Sequence, residues 1–354
     1  MLPMKRRQAG FSMVELMVAL TLSLIMIGGV LSLVYSSKLT YLENERVAGT
    51  QEGGRAAFEL LLRDLRGSGF QGCAQPVAGL VPSNNILTNP TSLLWDLNVP
   101  VQGYEGSGGT FSPALDPLLS GAASPPTANN DIIVIRTIRA GVPQLRTSKF
   151  INPGDDVTVT KTDTQKIVGN TFVISDCQAE TVFAAAVTDG GTTATLTKTV
   201  APAVPSNQSG DLLASFAGGA LVTPVDTVIY YIAPSGSAAV QGGAVGPALW
   251  RIVSSSNNAV AEELIPGVER MELQYGVDTD GDAIVNEYDD ADAVTNWSNV
   301  VSVRVAILVR STQANSLEAD QKKYTLLNQV VPAFGDHYQR SVYTTTITLR
   351  NRTT

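Results

Sequence analysis

The chain has 354 residues, a formal net charge of -8 and a pI near 4.8, a balance that excludes a surface built to condense on nucleic acid or anionic lipid, since both attract lysine- and arginine-rich faces. Its length allows a sizeable core, as one large head or two small lobes once a long anchor helix is set aside. Only Cys73 and Cys177 are present, which excludes a cysteine-rich zinc module and any CxxC redox pair.

Lys5, Arg6 and Arg7 precede Gly10, and from Phe11 to Tyr35 the chain is apolar with one charge, Glu15. That run is long enough to cross a hydrocarbon layer of about 30 Å. A secretory signal places its small-residue cleavage site after the apolar run, whereas Gly10 stands before it, so the apolar segment stays with the mature protein. The basic cluster on the short leading side keeps that end cytoplasmic and predicts a single-pass inner-membrane protein with a periplasmic head. Met1 and Met4 are both usable starts. Gly28 and Gly29 weaken the helix by about 1 kcal/mol each relative to alanine, or serve close helix packing.

Gly10-Phe11-Ser12-Met13-Val14-Glu15-Leu16 resembles the leader of type IV prepilins and of the pseudopilins of type II secretion. The resemblance implies cleavage between Gly10 and Phe11 by a prepilin peptidase, methylation of the new Phe11 amine, and an assembly role for Glu15. The physics of Glu15 agrees, because a lone carboxylate inside a bilayer costs roughly 2.5 to 3.5 kcal/mol on insertion scales and calls for a cation. The Phe11 amine of the same or a neighbouring subunit is the nearest one, and pairing offsets much of the desolvation.

Past Tyr35 the pattern turns amphipathic. Phe58, Leu61, Leu62 and Leu65 fall at i, i+3, i+4 and i+7, and Arg55, Glu59 and Arg63 form i, i+4 pairs. A helix from Phe11 to Arg66 would be about 84 Å long, with Gly49, Gly53 and Gly54 as places to bend and Gly67 and Gly69 as its stop. The predicted division is a leader over 1–10, a transmembrane helix over 11–35, its amphipathic continuation over 36–66 and a head over 67–354.

Beyond Cys73, residues 76–92, 103–130 and 233–247 read as loops, rich in glycine, proline and small polar residues. Between them Ile132–Ile138, Asp156–Thr160, Thr171–Ser175, Thr193–Thr199 and Thr227–Ile232 read as strands. Val268–Tyr275, Val300–Arg310 and Ser341–Arg350 predict an antiparallel sheet near the C-terminus. The fold class is therefore α+β, a long N-terminal helix packed on a β-rich antiparallel-sheet head. In an oxidising compartment Cys73 and Cys177 form one long-range disulfide, worth roughly 4 to 5 kcal/mol by chain entropy; in the cytosol they would be two buried thiols.

Asp278-Thr279-Asp280-Gly281-Asp282-Ala283-Ile284-Val285-Asn286-Glu287-Tyr288-Asp289-Asp290 places oxygen groups at alternate positions without a lysine or arginine. In EF-hand register Asp278, Asp280 and Asp282 supply carboxylates, Ile284 a carbonyl, and Asn286 and Asp289 the last oxygens around Ca2+. Two departures stand out: Ala283 occupies the position that loop gives to glycine, and Asp289 replaces the longer bidentate glutamate. The alternative is a solvated acidic hairpin, and no cofactor is required by anything else in the sequence.

Pro266–Tyr275, Trp297 and Val300–Val305, with Gly72-Cys73 after the helix, are similar to the minor pilin family PilW and, less closely, to J-type pseudopilins. That resemblance implies a pilin-like fold, location in the inner membrane and then in a pilus, and a role in priming pilus assembly. Its implied partners are the prepilin peptidase, other minor pilins, the major pilin and a tip adhesin, with no nucleic acid bound directly. Two other classes compete: a secretion pseudopilin, and an anchored periplasmic binding module that never polymerises. Enzymatic motifs are absent: there is no GxSxG, HExxH or P-loop, and the one histidine, His337 beside Asp336, reads as structural.

Overall fold

A 55-residue helix, α1 (Met13–Gly67), opens the computed structural model, which describes residues 12–70, 83–139, 142, 144–162, 164–176, 178–201, 204–236, 246–255, 259–314 and 318–352. Gly10, Phe11, Cys73 and Cys177 lie outside the described residues. Two units are distinguished, one ending at Gly49 and the other running from Thr50 to the C-terminus. The described part of the first is helix, apolar enough to cross a membrane, with Leu16, Leu24, Ile25, Met26 and Leu33 exposed.

In the second unit the end of α1 buries a narrow stripe: Thr50, Gly54, Ala57, Leu61, Asp64 and Leu65. Leu61 and Leu65 are core as the sequence predicts, while Phe58 and Leu62 flank the stripe half-buried. Small residues set its centre. A β-carbon on Gly54 would lie 2.5 Å from the Tyr343 ring, so this glycine admits an aromatic side chain, and helical structure continues past it. Phe58 meets Tyr343 edge-on at 6.5 Å. Arg55 pairs with Glu59 at 2.9 Å, but Arg63 turns to Asp64 at 3.0 Å. Asp64 also accepts a 2.7 Å bond from the buried Tyr230 hydroxyl. Past the helix, the Gly69 N–H donates to the Arg136 carbonyl and the Asn351 side chain to the Ser68 carbonyl, tying both ends of the unit together.

Among the described residues twelve strands form one large sheet and four a smaller one. The α+β class is thus observed, with pairing almost wholly antiparallel; Ser83–Asn85 on Glu180–Val182 is the parallel exception among named strands. Leu221–Pro234 organises the large sheet. Its first residues pair with Thr171–Ser175 and Leu145–Thr147, and the rest with Ile132–Ile138 on one side and Pro247–Val253 on the other. One long strand thereby joins two hydrophobic clusters, one around Phe172, Phe183 and Phe216, the other around Ile132, Tyr231 and Trp250. The small sheet runs Glu287–Asp289, Val268–Val277, Val300–Arg310, Arg340–Thr348, and its Met271, Leu273, Val303 and Val305 share a core with α1.

Ile132–Ile138, Thr171–Ser175 and Val300–Arg310 fall where the sequence puts them. The loop expected over 103–130 is corrected: it contains the end of strand Val101–Ser107, strand Thr110–Ser112 and a four-residue helix, Pro117–Ser120. Its glycines mark close approach. A β-carbon on Gly103 would sit 2.2 Å from the Tyr275 hydroxyl, and one on Gly106 would lie 2.1 Å from the Asn130 carbonyl. Likewise the loop expected over 233–247 begins and ends in strand, and Asn84 and Asn85 of the first loop lie in one.

Candidate functional site

Ser12 and Glu15 begin α1 as a reciprocal cap. The Val14 N–H donates to Ser12 Oγ at 3.3 Å, and the Ser12 N–H to Glu15 Oε2 at 3.4 Å. This S-x-x-E pattern satisfies helix-end donors that otherwise have no partner. The same carboxylate that the membrane reading singles out therefore sits at the positive end of the helix.

The small sheet is anchored by Arg340, whose side chain is fully buried. It donates to Glu269 Oε2 at 2.5 Å, to Asp320 Oδ2 at 3.0 Å and to both oxygens of Asp336 at 2.6 and 2.7 Å, with Phe334 stacked 3.7 Å from its guanidinium. Burial alone would weaken its charge, but the bonds from Asp336 and Glu269 outweigh burial and hold the guanidinium protonated. Asp336 is held below the usual carboxylate range by Arg340. The carboxylate beside His337 is therefore committed to an ion pair that pins 318–339 to the sheet.

The acidic loop between Val268–Val277 and Glu287–Asp289 brings Asp278, Asp280 and Asp282 within 4.8 Å of one another. Asp278 Oδ1 accepts from Gly281 N at 2.7 Å and Oδ2 from Ala283 N at 2.9 Å. Its partial burial opposes the charge, but these donors overcome it and hold the carboxyl below its ordinary value. Ala283 adopts φ +65°, so the sharp turn forms there without glycine. The Ile284 N–H donates to Asp282 Oδ1 at 2.8 Å, the Thr279 N–H to the Asn286 side-chain Oδ1 at 2.7 Å, and Asp289 pairs opposite Tyr275 in its strand.

A second acidic cluster is not legible in the sequence: Glu105, Asp131 and Glu272, all buried and within 4.8 Å of one another. Asp131 lies at the edge of Val268–Val277, where Oδ2 accepts from Leu273 N at 2.7 Å and Oδ1 from Gly106 N at 3.0 Å. Burial, reinforced by the neighbouring carboxylates, raises Glu105 to about 7 and Glu272 to about 8, and raises Asp131 as well. These residues lie 26 and 141 positions apart, with no spacing to betray them. The one sequence signal is a buried strand face that carries an acid beside glycine, Gly103-Tyr104-Glu105-Gly106.

Residues 229–351 match the family of type IV pilus-assembly protein W, PilW. The C-terminal third of the chain is thus similar to that family. The match starts inside Leu221–Pro234 and takes in the whole small sheet, the Arg340 network and the acidic loop. Within the matched residues Trp297 packs edge-on against Tyr275 at 4.7 Å. Residues 5–31 match the prokaryotic N-terminal methylation motif, spanning Gly10, Phe11 and Glu15. Curated proteins give no match. The two family matches and the long apolar helix fit a membrane-anchored, type IV pilus-associated pilin.

Proposed function

We propose that the chain is a minor pilin that helps to initiate type IV pilus assembly. The observation that carries this reading is the joining of a methylation motif over 5–31 to a PilW domain over 229–351 in one chain. Prepilin peptidase cuts after Gly10, Phe11 is methylated, and Glu15 docks the subunit in the inner membrane through a neighbouring Phe11 amine. The apolar helix then enters the filament, and the head, held in the periplasm by the Lys5-Arg6-Arg7 side of the span, offers its surface to other minor pilins, the major pilin and a tip adhesin. A protein that was only anchored would need neither a glycine before its span nor a carboxylate within it.

Two further elements belong to this reading. Cys73 and Cys177 pair in the periplasm; the parallel pairing of Ser83–Asn85 with Glu180–Val182 supports this by running the segments after the two cysteines side by side. The 278–289 loop takes Ca2+, supported by the turned-in Asp278, Asp280 and Asp282.

The test is intact mass and N-terminal sequencing of the membrane-extracted chain coexpressed with a prepilin peptidase, beside Gly10→Ala. Loss of the leader with a methylated Phe11, blocked in the variant, is expected. An uncut N-terminus in the native chain would refute processing and with it the filament role.

A further inference from the structure

Glu105, Asp131 and Glu272 come from three separate stretches, the strand Val101–Ser107, the turn before Ile132–Ile138, and the strand Val268–Val277. Their exposures are 6%, 1% and 7%, so water screens them little. Among the described residues none of the three has an ion-pair partner within 4.0 Å. Arg270 lies close enough to act on Glu272, but its guanidinium donates to the Asn129 carbonyl. Asp290 and Asp292 add more negative charge from the neighbouring turn. Carboxylates so placed repel strongly once ionised, unless a cation stands among them or protons stay on them, as in the Glu105–Asp131 hydrogen bond.

An independent feature points to the same gap. The Tyr275 hydroxyl is fully buried, it feels the charges of Asp131 and Glu105, and it has no hydrogen-bond partner among the described residues. It reaches the strand that carries Glu105, since a β-carbon on Gly103, two residues earlier and on the same face, would lie 2.2 Å away. Buried hydroxyls rarely go unpaired, and this one lies against the strand that carries Glu105, within reach of the charges of Glu105 and Asp131.

We propose that Glu105, Asp131 and Glu272 bind one Ca2+, which clamps the Val101–Ser107 strand of the large sheet to the Val268–Val277 strand of the small one. The donor set is all oxygen and carries no histidine or thiolate, which suits a hard cation. Calcium holds its oxygens at about 2.3 to 2.6 Å, so ligands on one ion stand up to about 5 Å apart, matching the 4.8 Å spread of the three carboxylates. The Tyr275 hydroxyl then donates to a water or carboxylate oxygen of the same coordination sphere. The site is separate from the exposed 278–289 loop: its ligands join two sheets, whereas the loop closes on itself. The competing occupant is a proton shared between carboxyls.

The experiment uses the full chain in detergent, stripped with EDTA. CaCl2 is titrated by calorimetry, and Tb3+ is followed by luminescence excited through the adjoining Tyr275 and Trp297. Glu105→Gln and Glu272→Gln are each compared with an Asp280→Asn, Asp282→Asn loop variant. Each glutamine variant is expected to lose affinity by at least the roughly tenfold that even outer-sphere groups command, while the loop variant keeps this site. Absence of Ca2+ and Tb3+ binding up to millimolar concentration overturns the proposal. So does binding that the loop variant abolishes and both glutamine variants retain. If the glutamine variants fail to fold, the melting temperature decides: a Ca2+-induced rise shared by the native chain and the loop variant supports the clamp, and a rise missing from the loop variant, or from both, overturns it.

Discussion

Glu180 begins the strand Glu180–Asp189 at 1% exposure, and its Oε1 has no hydrogen-bond partner. Burial raises its carboxyl from the ordinary 4.5 to about 8. Because the folded-state value is the higher one, the folded chain holds this proton over a range where the unfolded chain has released it. The penalty is therefore absent below about 4.5, grows as pH rises, and levels off above about 8. At pH 7 the gap spans about 2.5 pH units, or about 3 kcal/mol at 1.36 kcal/mol per unit. Glu180→Gln keeps the shape and cannot ionise. At pH 5 the variant and the native chain should melt within about 3 °C of each other; by pH 8, where the penalty reaches about 4 kcal/mol, the variant should melt about 8 to 16 °C higher, at about 2 to 4 °C per kcal/mol. Circular dichroism melts of the full chain at both pH values measure this. A difference between the two proteins that stays constant from pH 5 to 8 would refute the burial argument, whatever its sign.

Replacing Arg340 with methionine should destabilise the head by about 3 to 5 kcal/mol, since Glu269, Asp320 and Asp336 would keep their charge without a partner; urea unfolding reads the loss, and a change below about 1 kcal/mol would show the network to be idle. Gly103→Ala should cost about 1 to 3 kcal/mol and alter tryptophan emission, because its β-carbon meets the immobile Tyr275 ring that packs on Trp297; native-like stability would show that Tyr275 has room to move.

Local patterns in the sequence carried the features that depend on neighbours along the chain. The span after Gly10, the lone Glu15 and the Val- and Ile-rich strands Ile132–Ile138 and Val300–Arg310 each follow from hydropathy and period, which need no knowledge of what packs against them. Glycine misled, because its turn preference and its tolerance of close contact look alike in sequence: Gly103 and Gly106 sit inside a strand, and Gly54 inside the helical stripe. Glu180–Asp189 was missed because three consecutive alanines carry little strand preference, and its pairing on Thr171–Ser175 and Thr193–Lys198 supplies what propensity lacks. Leu221–Pro234 was read only in its middle, since the exchange of partners along it is a property of the sheet. The acidic loop was visible as alternating aspartates a few residues apart. The meeting of Glu105, Asp131 and Glu272 was not, because only the folding of one sheet against another brings carboxylates from such distant positions to within 4.8 Å.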